Sequence, residues 1–213
     1  MAEAMYNNIK AVGLPTWSEE DQQLAKATQV EMKSRKVEGL AVKIDTISLP
    51  TSTKPIIMGG RSLMAMGGGS DDIADISWSV PTITLGYPSN IPNLPGHHWS
   101  DAIAMATPIA HKGIIAGAKA EALTLIDLLT NPQLIKDAWK YYNEEQTKEQ
   151  KYIPLIGDKD VPAITLNRDI MATFKPQLSK YYYDPAKYKT YLQQLGISYP
   201  TLRPDQKEAI KKN

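Results

Sequence analysis

The sequence predicts an α/β fold in which a sheet packs against helices, and three observations predict it. The apolar, β-branched run Trp78–Leu85 is typical of a buried strand. The segment from Pro108 to Thr130 repeats apolar residues at the helical period, and its small residues allow close packing on a sheet. The chain has 213 residues, enough to bury a sizeable core.

The N-terminal third predicts two helices and a connecting arm. Ala2–Val12 has one apolar face and ends before Gly13. Ser18, with Asp21 three residues later, is close to a capping box and predicts a helix over Glu19–Ser34. The arm that follows, residues 37–55, favours β structure and predicts a strand at 40–47.

The rest of the chain predicts a loop, two strands and several helices. Residues 56–70 carry five glycines and three methionines, which indicates a flexible loop. We divide the chain into a main domain, 1–146, and an extension packed on it, 147–213. The predicted elements are strands over 73–80 and 82–85, a loop over 86–99, and helices over 108–130, 133–146, 167–175, 184–195 and 203–212.

Composition and charge exclude several classes of protein. A net charge of +1 gives no electrostatic basis for binding nucleic acid or an anionic membrane surface. We expect no membrane span, because no stretch of about 18 apolar residues occurs. The first residues do not have a signal-peptide layout, and the chain has no cysteine, so we expect a cytoplasmic protein and leave the periplasm open. Any metal must then be held by His, Asp or Glu.

Candidate site residues concentrate between Met66 and His111. The glycine run at 67–69 is either a turn or a loop that approaches a substrate carboxylate; nucleotide binding lacks the Gly-Lys-Ser/Thr ending of a phosphate loop. The aspartates that follow either cap a turn or orient a metal ligand. All three histidines of the chain also lie here. The acidic and imidazole residues of this stretch are Asp71, Asp72, Asp75, His97, His98 and His111.

Each histidine has an ordinary interpretation beside the functional one. His97 and His98 follow Pro95-Gly96 in a loop, where a His pair is either an exposed structural feature or a source of a metal ligand. His111 lies one turn into a predicted helix, where its spacing favours a packing or supporting role over ligation.

Four segments of the chain resemble a known group of enzymes. They are MYNNIKAVGLPTWSEEDQQLAKATQ, GSDDIADISWSVPTITLG, LPGHHW and IAHKGIIAGAKAEALTLIDLL. They are similar to the C-terminal part of the aminobenzoyl-glutamate utilization protein B group, within the metallopeptidase family that includes carboxypeptidase G and the aminoacylases. The resemblance covers most of residues 5–145 and extends more weakly into the tail.

The resemblance implies a fold and a reaction. The fold would be the C-terminal portion of a two-metal peptidase catalytic domain, with the lid domain absent. The reaction would be hydrolysis of an amide bond to an amino acid, as in an aminobenzoyl-glutamate-like substrate, with zinc or manganese as cofactor. His97 would be the one metal ligand supplied here, with His98 as the alternative. Gly69 and Ser70 would contact substrate, and Asp72, Asp75 and His111 would support the site.

The chain departs from the family's pattern in its early half. It has no His-x-Asp motif and no Glu-Glu general-base motif in the expected context, because Glu19-Glu20 begins a helix. We therefore assign no catalytic residue and expect the isolated chain to be inactive. It would need the missing N-terminal catalytic half or a partner chain, with homo-oligomer formation left open. The alternative is a non-catalytic α/β scaffold or binding module that has lost the metal centre.

Overall fold

The computed structural model describes residues 1–42, 57–58, 61–62, 72–149 and 151–212. These residues form helices and one short strand pair. The α-helices are α1 Ala2–Val12, α2 Glu19–Glu31, α3 Ile73–Ser79, α4 Pro108–Thr130, α5 Pro132–Tyr141, α6 Arg168–Leu178, α7 Tyr191–Gln194 and α8 Pro204–Lys212. Short 3₁₀ turns cover Trp99–Ala102, Ala104–Ala106 and Ser179–Tyr181, and a π-helical turn covers Tyr142–Gln146.

The α/β prediction is wrong. The strands among the described residues are β1 Ile57–Met58 and β2 Arg61–Ser62, a two-residue antiparallel pair in which Ile57 is opposite Ser62. Helices do not pack on a sheet of the predicted kind anywhere in the described part of the chain. Most of the strand predicted at 40–47, and the substrate-contacting pair Gly69 and Ser70, lie outside the described residues.

The predicted strand 73–80 is largely helix α3. Asp75 places a carboxylate in its first turn, where the helix dipole favours negative charge. Ser77 and Ser79 donate hydroxyl hydrogen bonds back to the carbonyls of Ala74 and Asp75, which suits a helix. Val80 is extended, and residues 81–85 have no regular secondary structure and pair with no strand among the described residues. β-favouring residues without a partner strand do not form a sheet.

The chain divides into two compact units built from interleaved segments. Unit 1 comprises Met1–Gly13, Ile44–Gly86 and Ala116–Leu155. Unit 2 comprises Leu14–Lys43, Tyr87–Ile115 and Ile156–Asn213. Helix α4 therefore contributes its first two turns to unit 2 and the remainder to unit 1. The domain boundary predicted at 146/147 stays a prediction.

Unit 2 contains a small apolar core. Helix α2 begins as its sequence predicts: the Ser18 hydroxyl accepts the Asp21 backbone N–H, and the Asp21 carboxylate accepts the Ser18 N–H, a complete capping box. The core residues are Ala25, Leu40, Ile91, Ala104 and Ile109, with Trp17, Leu24, Leu94 and Ile103 packed against them.

Two glutamines of α2 fix the extended segment of unit 2 that follows the helix. The fully buried Gln29 accepts the Gly39 N–H at 2.8 Å and donates to the carbonyl of Pro92 at 3.0 Å. Gln22 accepts the Leu40 N–H at 2.8 Å. Gly39 has φ of +73°, and a Cβ there would lie 2.3 Å from the Gln22 side-chain oxygen. The backbone conformation therefore favours glycine at this position, and a Cβ would in addition displace the Gln22 side chain that accepts the Leu40 N–H.

The C-terminal helix also belongs to this unit. α8 packs along α2, where the Arg203 guanidinium donates to the Glu31 carboxylate at 2.7 Å and the Gln206 amide donates to the same oxygen at 3.3 Å. The end of the tail thus packs against the second helix of the chain.

Unit 1 is held by polar contacts between its helices. The Asn8 amide on α1 donates to Thr124 at 3.2 Å and to Asp127 at 2.7 Å on α4. In the π-helical turn, the Tyr142 hydroxyl donates to the carbonyl of Trp78 at 2.5 Å, which ties this turn to the end of α3. These contacts leave much apolar surface of α4 exposed.

Candidate functional site

The loop that carries the histidine pair distinguishes its two members. His97 is exposed and has φ of +55°. Within the described residues its ring makes no hydrogen bond, ion pair or ring contact. His98 is half-buried, and its ring lies 5.1 Å from the Trp99 ring, centroid to centroid.

The His98 ring is engaged in holding the loop. Its Nδ1 accepts the backbone N–H of Ser100 at 3.3 Å and lies 2.9 Å from the Ser100 hydroxyl oxygen. His98 thereby caps the turn Trp99–Ala102, and Ser100 is fully buried beneath it. An imidazole metal ligand needs a free lone pair. His98 uses its Nδ1 lone pair in the cap, so His97 is the histidine of this loop with both ring nitrogens available.

The two predicted supporting aspartates lie in unit 1, whereas His97 lies in unit 2. Asp72 precedes α3, is exposed, and makes no capping side-chain hydrogen bond. The Asp75 carboxylate accepts a hydrogen bond from the Tyr152 hydroxyl, and this bond raises the pKa of Tyr152. The roles predicted for both aspartates stay predictions.

A buried carboxylate in unit 2 joins three segments that are distant in sequence. The Asp21 side chain is fully buried, and its Oδ2 accepts the Lys112 ammonium at 2.5 Å and the Ser18 N–H at 2.8 Å. Its Oδ1 accepts the Tyr199 hydroxyl at 2.7 Å. We call Asp21, Lys112 and Tyr199 the buried triad. It fixes the start of α2, the start of α4 and the C-terminal segment to one another.

The ionisation of the triad follows from its contacts. Burial by itself would raise the pKa of Asp21, but the hydrogen bonds from Lys112, Tyr199 and Ser18 outweigh burial and lower it. The pKa of Tyr199 is raised, first by burial and then by its bond to the Asp21 carboxylate. The stable form of the triad is therefore a carboxylate, an ammonium and a neutral phenol.

His111 stands next to the triad and lines a groove. It is exposed in the first turn of α4, one residue before Lys112. Two adjoining cavities of about 440 and 330 Å³ share Ala106, His111 and Thr190 in their walls. We call the two together the His111 groove. The first is completed by Ala102, Met105, Tyr183, Lys189 and Tyr191, and the second by Pro108, Leu192, Gln193, Ile197 and Tyr199.

Helix α4 packs tightly on the preceding loop beside the groove. Gly113, one turn beyond Ile109 on α4, lies against the loop before the histidine pair. A Cβ at this position would be 2.2 Å from the carbonyl oxygen of Pro88 and 2.5 Å from the Cα of Ser89. Any larger residue would push the loop from the helix, so this glycine sets the distance between them.

Sequence reasoning missed most of this arrangement. The spacing predicts Asp21 only as a capping residue; its contact with Tyr199 joins positions 178 residues apart and has no local signal. The sequence indicates Lys112 only as the neighbour of His111. The one useful signal is the Ala-His-Lys-Gly segment at 110–113. In it His111 lines the groove, Lys112 pairs with Asp21, and Gly113 packs against the preceding loop.

The described residues do not contain a cluster of three or more His, Asp or Glu side chains placed to hold a metal ion. His97 fits the role of a single ligand, because its ring is exposed and uncommitted, but it is short of the three or four ligands of a stable zinc site. In the described ranges, moreover, no helix is both long enough and apolar enough to cross a membrane.

Comparison with known proteins identifies a distant relative. No protein-family model and no solved structure matches the chain. The p-aminobenzoyl-glutamate hydrolase of Escherichia coli (strain K12) has a subunit, labelled B, that is 23% identical over 167 residues, which cover 71% of this chain and 34% of the relative. The chain thus spans about a third of that relative's length. It is distantly related to the family of this hydrolase subunit.

Proposed function

We propose that this chain is a portion of a metal-dependent amidohydrolase that cleaves an amide bond to an amino acid, with an aminobenzoyl-glutamate-like substrate. The observation that carries the proposal is the similarity to the p-aminobenzoyl-glutamate hydrolase of Escherichia coli over most of this chain. That relative's name identifies it as a hydrolase of p-aminobenzoyl-glutamate and as one subunit of it.

His97 is the residue we assign to the metal, zinc or manganese. The support is its free imidazole, in contrast to the Nδ1 of His98, which accepts the Ser100 N–H. A bound metal would polarise the substrate carbonyl and lower the pKa of a bound water. The chain's own contribution would be to present one neutral imidazole from a loop whose shape His98 and Ser100 fix.

The described residues contain no cluster of three or more potential metal ligands, and the sequence lacks the Glu-Glu general-base motif in its expected context, so further ligands and a general base are needed. We infer that they come from another segment or from a partner chain. This agrees with the relative's being a subunit and with the alignment's covering only 34% of it. Asp72, Asp75, Gly69 and Ser70 keep the supporting and substrate-contacting roles proposed for them.

The test is reconstitution of hydrolysis. The purified chain with added zinc or manganese should not turn over p-aminobenzoyl-glutamate. Co-expression with a segment that carries the His-x-Asp and Glu-Glu motifs should give turnover and metal binding together. His97→Ala should then abolish turnover, a loss of at least about 10²-fold.

His98→Asn is the matched control. Asparagine is a good N-cap, so its side-chain oxygen can accept the Ser100 N–H in place of Nδ1. This variant should retain turnover within about threefold of the reconstituted wild type, because it preserves the loop and leaves His97 unchanged. Turnover by the chain alone would refute the need for a further segment, and equal loss in both variants would refute the assignment of His97.

A second function, that of a non-catalytic binding module, is favoured by one observation. The described residues lack a cluster of metal-ligating side chains but do form the His111 groove. If reconstitution gives no turnover with any metal while the groove binds ligand, the binding module becomes the better description.

A further inference from the structure

We propose that the His111 groove binds an N-aroyl amino acid, a ligand with an aromatic ring at one end and carboxylates at the other. The inference rests on the proposed function for the choice of ligand, since the relative's named substrate is of this class. The groove itself is argued from unit 2 alone. Its dimensions, about 440 and 330 Å³ for its two parts, suit a small molecule of this kind.

The groove is lined by a cationic side chain and by hydrogen-bond donors that are not already paired with acceptors among the described residues. Within the described residues, the His111 ring and the Lys189 ammonium make no ion pair or side-chain hydrogen bond, and no carboxylate lines either cavity. Gln193 accepts the Lys189 backbone N–H through its side-chain oxygen at 2.8 Å, so the amide N–H₂ is the free end. Three donor side chains around one groove favour an anionic ligand.

The nearby Lys187 differs from Lys189 in that its charge is paired. It lies two residues before Lys189 and is ion-paired with Asp184 at 3.1 Å. Lys187 does not line either cavity. Lys189 therefore retains an uncompensated positive charge at the groove, whereas the charge on Lys187 is already balanced by a neighbouring carboxylate.

The first cavity is also suited to an aromatic ring. The rings of Tyr183 and Tyr191 meet edge to face, with centroids 6.3 Å apart and planes at 83°. Both hydroxyls are used by the fold, because Tyr183 donates to the carbonyl of Tyr188 at 2.6 Å and Tyr191 to that of Tyr181 at 3.0 Å. What these side chains offer a ligand is therefore ring surface, beside the thioether of Met105.

The buried triad makes the groove a preformed site. Lys112 is fixed to Asp21, which restrains the turn that carries His111. Tyr199 lines the second cavity while its hydroxyl is bound to the same carboxylate. Thr190, shared by both cavities, accepts the Gln193 N–H at 3.1 Å and so caps α7. A site whose walls are fixed before binding loses less entropy when ligand binds.

These observations give a specific arrangement of ligand. The aromatic ring lies against Tyr183 and Tyr191 in the first cavity, where one carboxylate of the amino-acid part meets His111 and Lys189. The amino-acid part extends towards Gln193 in the second cavity. The aromatic ring and the negative charge are thus recognised by different residues, which allows each to be tested separately.

The experiment is a binding titration of the full chain, by calorimetry, with three probes. N-benzoylglutamate carries both features, benzamide has the ring without charge, and glutamate has the charge without the ring. We expect N-benzoylglutamate to bind at least about tenfold more tightly than either of the others. Lys189→Met should weaken its binding about five- to tenfold, and Lys189→Arg should restore most of it.

Lys187→Met is the matched control, with the same charge removed two residues away. It should bind N-benzoylglutamate within about twofold of wild type. Circular dichroism establishes that each variant is folded. The proposal is overturned if both methionine variants weaken binding equally, or if benzamide binds as tightly as N-benzoylglutamate. It is also overturned if the folded wild-type chain does not bind N-benzoylglutamate.

The outcome separates this inference from the proposed function. Binding that depends on Lys189, in a reconstituted complex without hydrolysis, would refute the hydrolase assignment and support the groove. Hydrolysis whose KM is unchanged by Lys189→Met would support the hydrolase assignment and refute the groove as its substrate site.

Discussion

The two parts of helix α4 differ sharply in what surrounds them. In unit 2, Ile109 is fully buried, Lys112 binds a buried carboxylate and Gly113 lies against the neighbouring loop. In unit 1, Ala120 and Thr124 are buried, but Leu125 is 53% exposed and Leu129 is 81% exposed. The first part is anchored in its own unit by these three contacts, beside the exposed Ile114 and Ile115 at its end. The second part presents two exposed leucines on one helix face that the described residues do not cover.

This difference shows which part of α4 is fixed by contacts within its own unit. A groove, a core and a polar network that is satisfied internally occur together in unit 2. Apolar residues on one helix face, exposed in numbers, are typical of a surface that meets another protein segment. We therefore attribute ligand binding to unit 2 and association with the rest of the proposed enzyme to the exposed face in unit 1.

The largest effect should come from removing the centre of the buried triad. Asp21→Asn keeps the size of the side chain but removes the charge that faces Lys112 and accepts from Tyr199. Breaking a buried pair by losing one partner is costly, and because Lys112 is partly exposed we expect a loss of about 2 to 3 kcal/mol in the free energy of unfolding.

Urea denaturation measures this loss. Glu19→Gln is the control, since it removes an exposed carboxylate from the same helical turn and should leave the free energy of unfolding nearly unchanged. If Asp21→Asn unfolds at the same urea concentration as wild type, the triad does not hold unit 2, and the contrast between the two units loses its basis.

The same carboxylate predicts a pH dependence. The pKa of Asp21 in the folded chain is below its ordinary value of 3.8, so the unfolded chain takes up the proton more readily. The stability that Asp21 contributes is therefore present above about pH 4 to 5 and is lost as the pH falls through the folded pKa. The difference in stability between wild type and Asp21→Asn should shrink below about pH 4.

Urea midpoints at a series of pH values between neutral and strongly acidic test this prediction, with Glu19→Gln measured beside them. A difference between wild type and Asp21→Asn that stays constant, or widens, on acidification would contradict it. That result would mean that Asp21 does not act as a charged acceptor in the folded chain.

Local signals explain what could be predicted from the sequence. Helix α1 and the span of α4 have the ends that the sequence predicts, and a three-residue spacing is enough to indicate the capping box at Ser18 and Asp21. Each of these depends on neighbours within one or two helical turns. The helical period of α4 also predicts a buried face of six apolar residues. Ile109, Ala116 and Ala120 are buried as expected, whereas Ile115, Leu123 and Ile126 are exposed.

Non-local requirements explain the errors. Trp78 lies in α3 because a strand needs a partner strand, and periodicity within one segment does not supply it. The contact of His98 with Ser100 is local, but residue spacing does not specify it, and His97 as the metal ligand stays a prediction. The buried triad could not be predicted from the sequence either. Its contact between the Tyr199 hydroxyl and the Asp21 carboxylate depends on how the whole tail folds back.

The smallest effect on stability should come from the exposed face of α4 in unit 1. Leu125→Gln with Leu129→Gln replaces two exposed leucines by residues that also favour helix, so the free energy of unfolding should change by less than about 0.5 kcal/mol per site. The association of the chain should change much more. Sedimentation velocity at increasing concentration should show less self-association than wild type, because apolar area has been removed from the associating surface.

The control introduces glutamine at Lys119 and Thr130, two exposed positions of α4 that lie roughly 100° around the helix from the leucines, and leaves both leucines in place. Its self-association should match wild type, since the apolar face is retained. If the leucine double variant unfolds, the two leucines are packed within the chain itself and do not form an associating surface. If it folds but associates as wild type does, the contact surface lies elsewhere. A stable variant that no longer self-associates, and that also fails to assemble with the segment carrying the His-x-Asp and Glu-Glu motifs, would identify this helix face as the place where the rest of the enzyme joins.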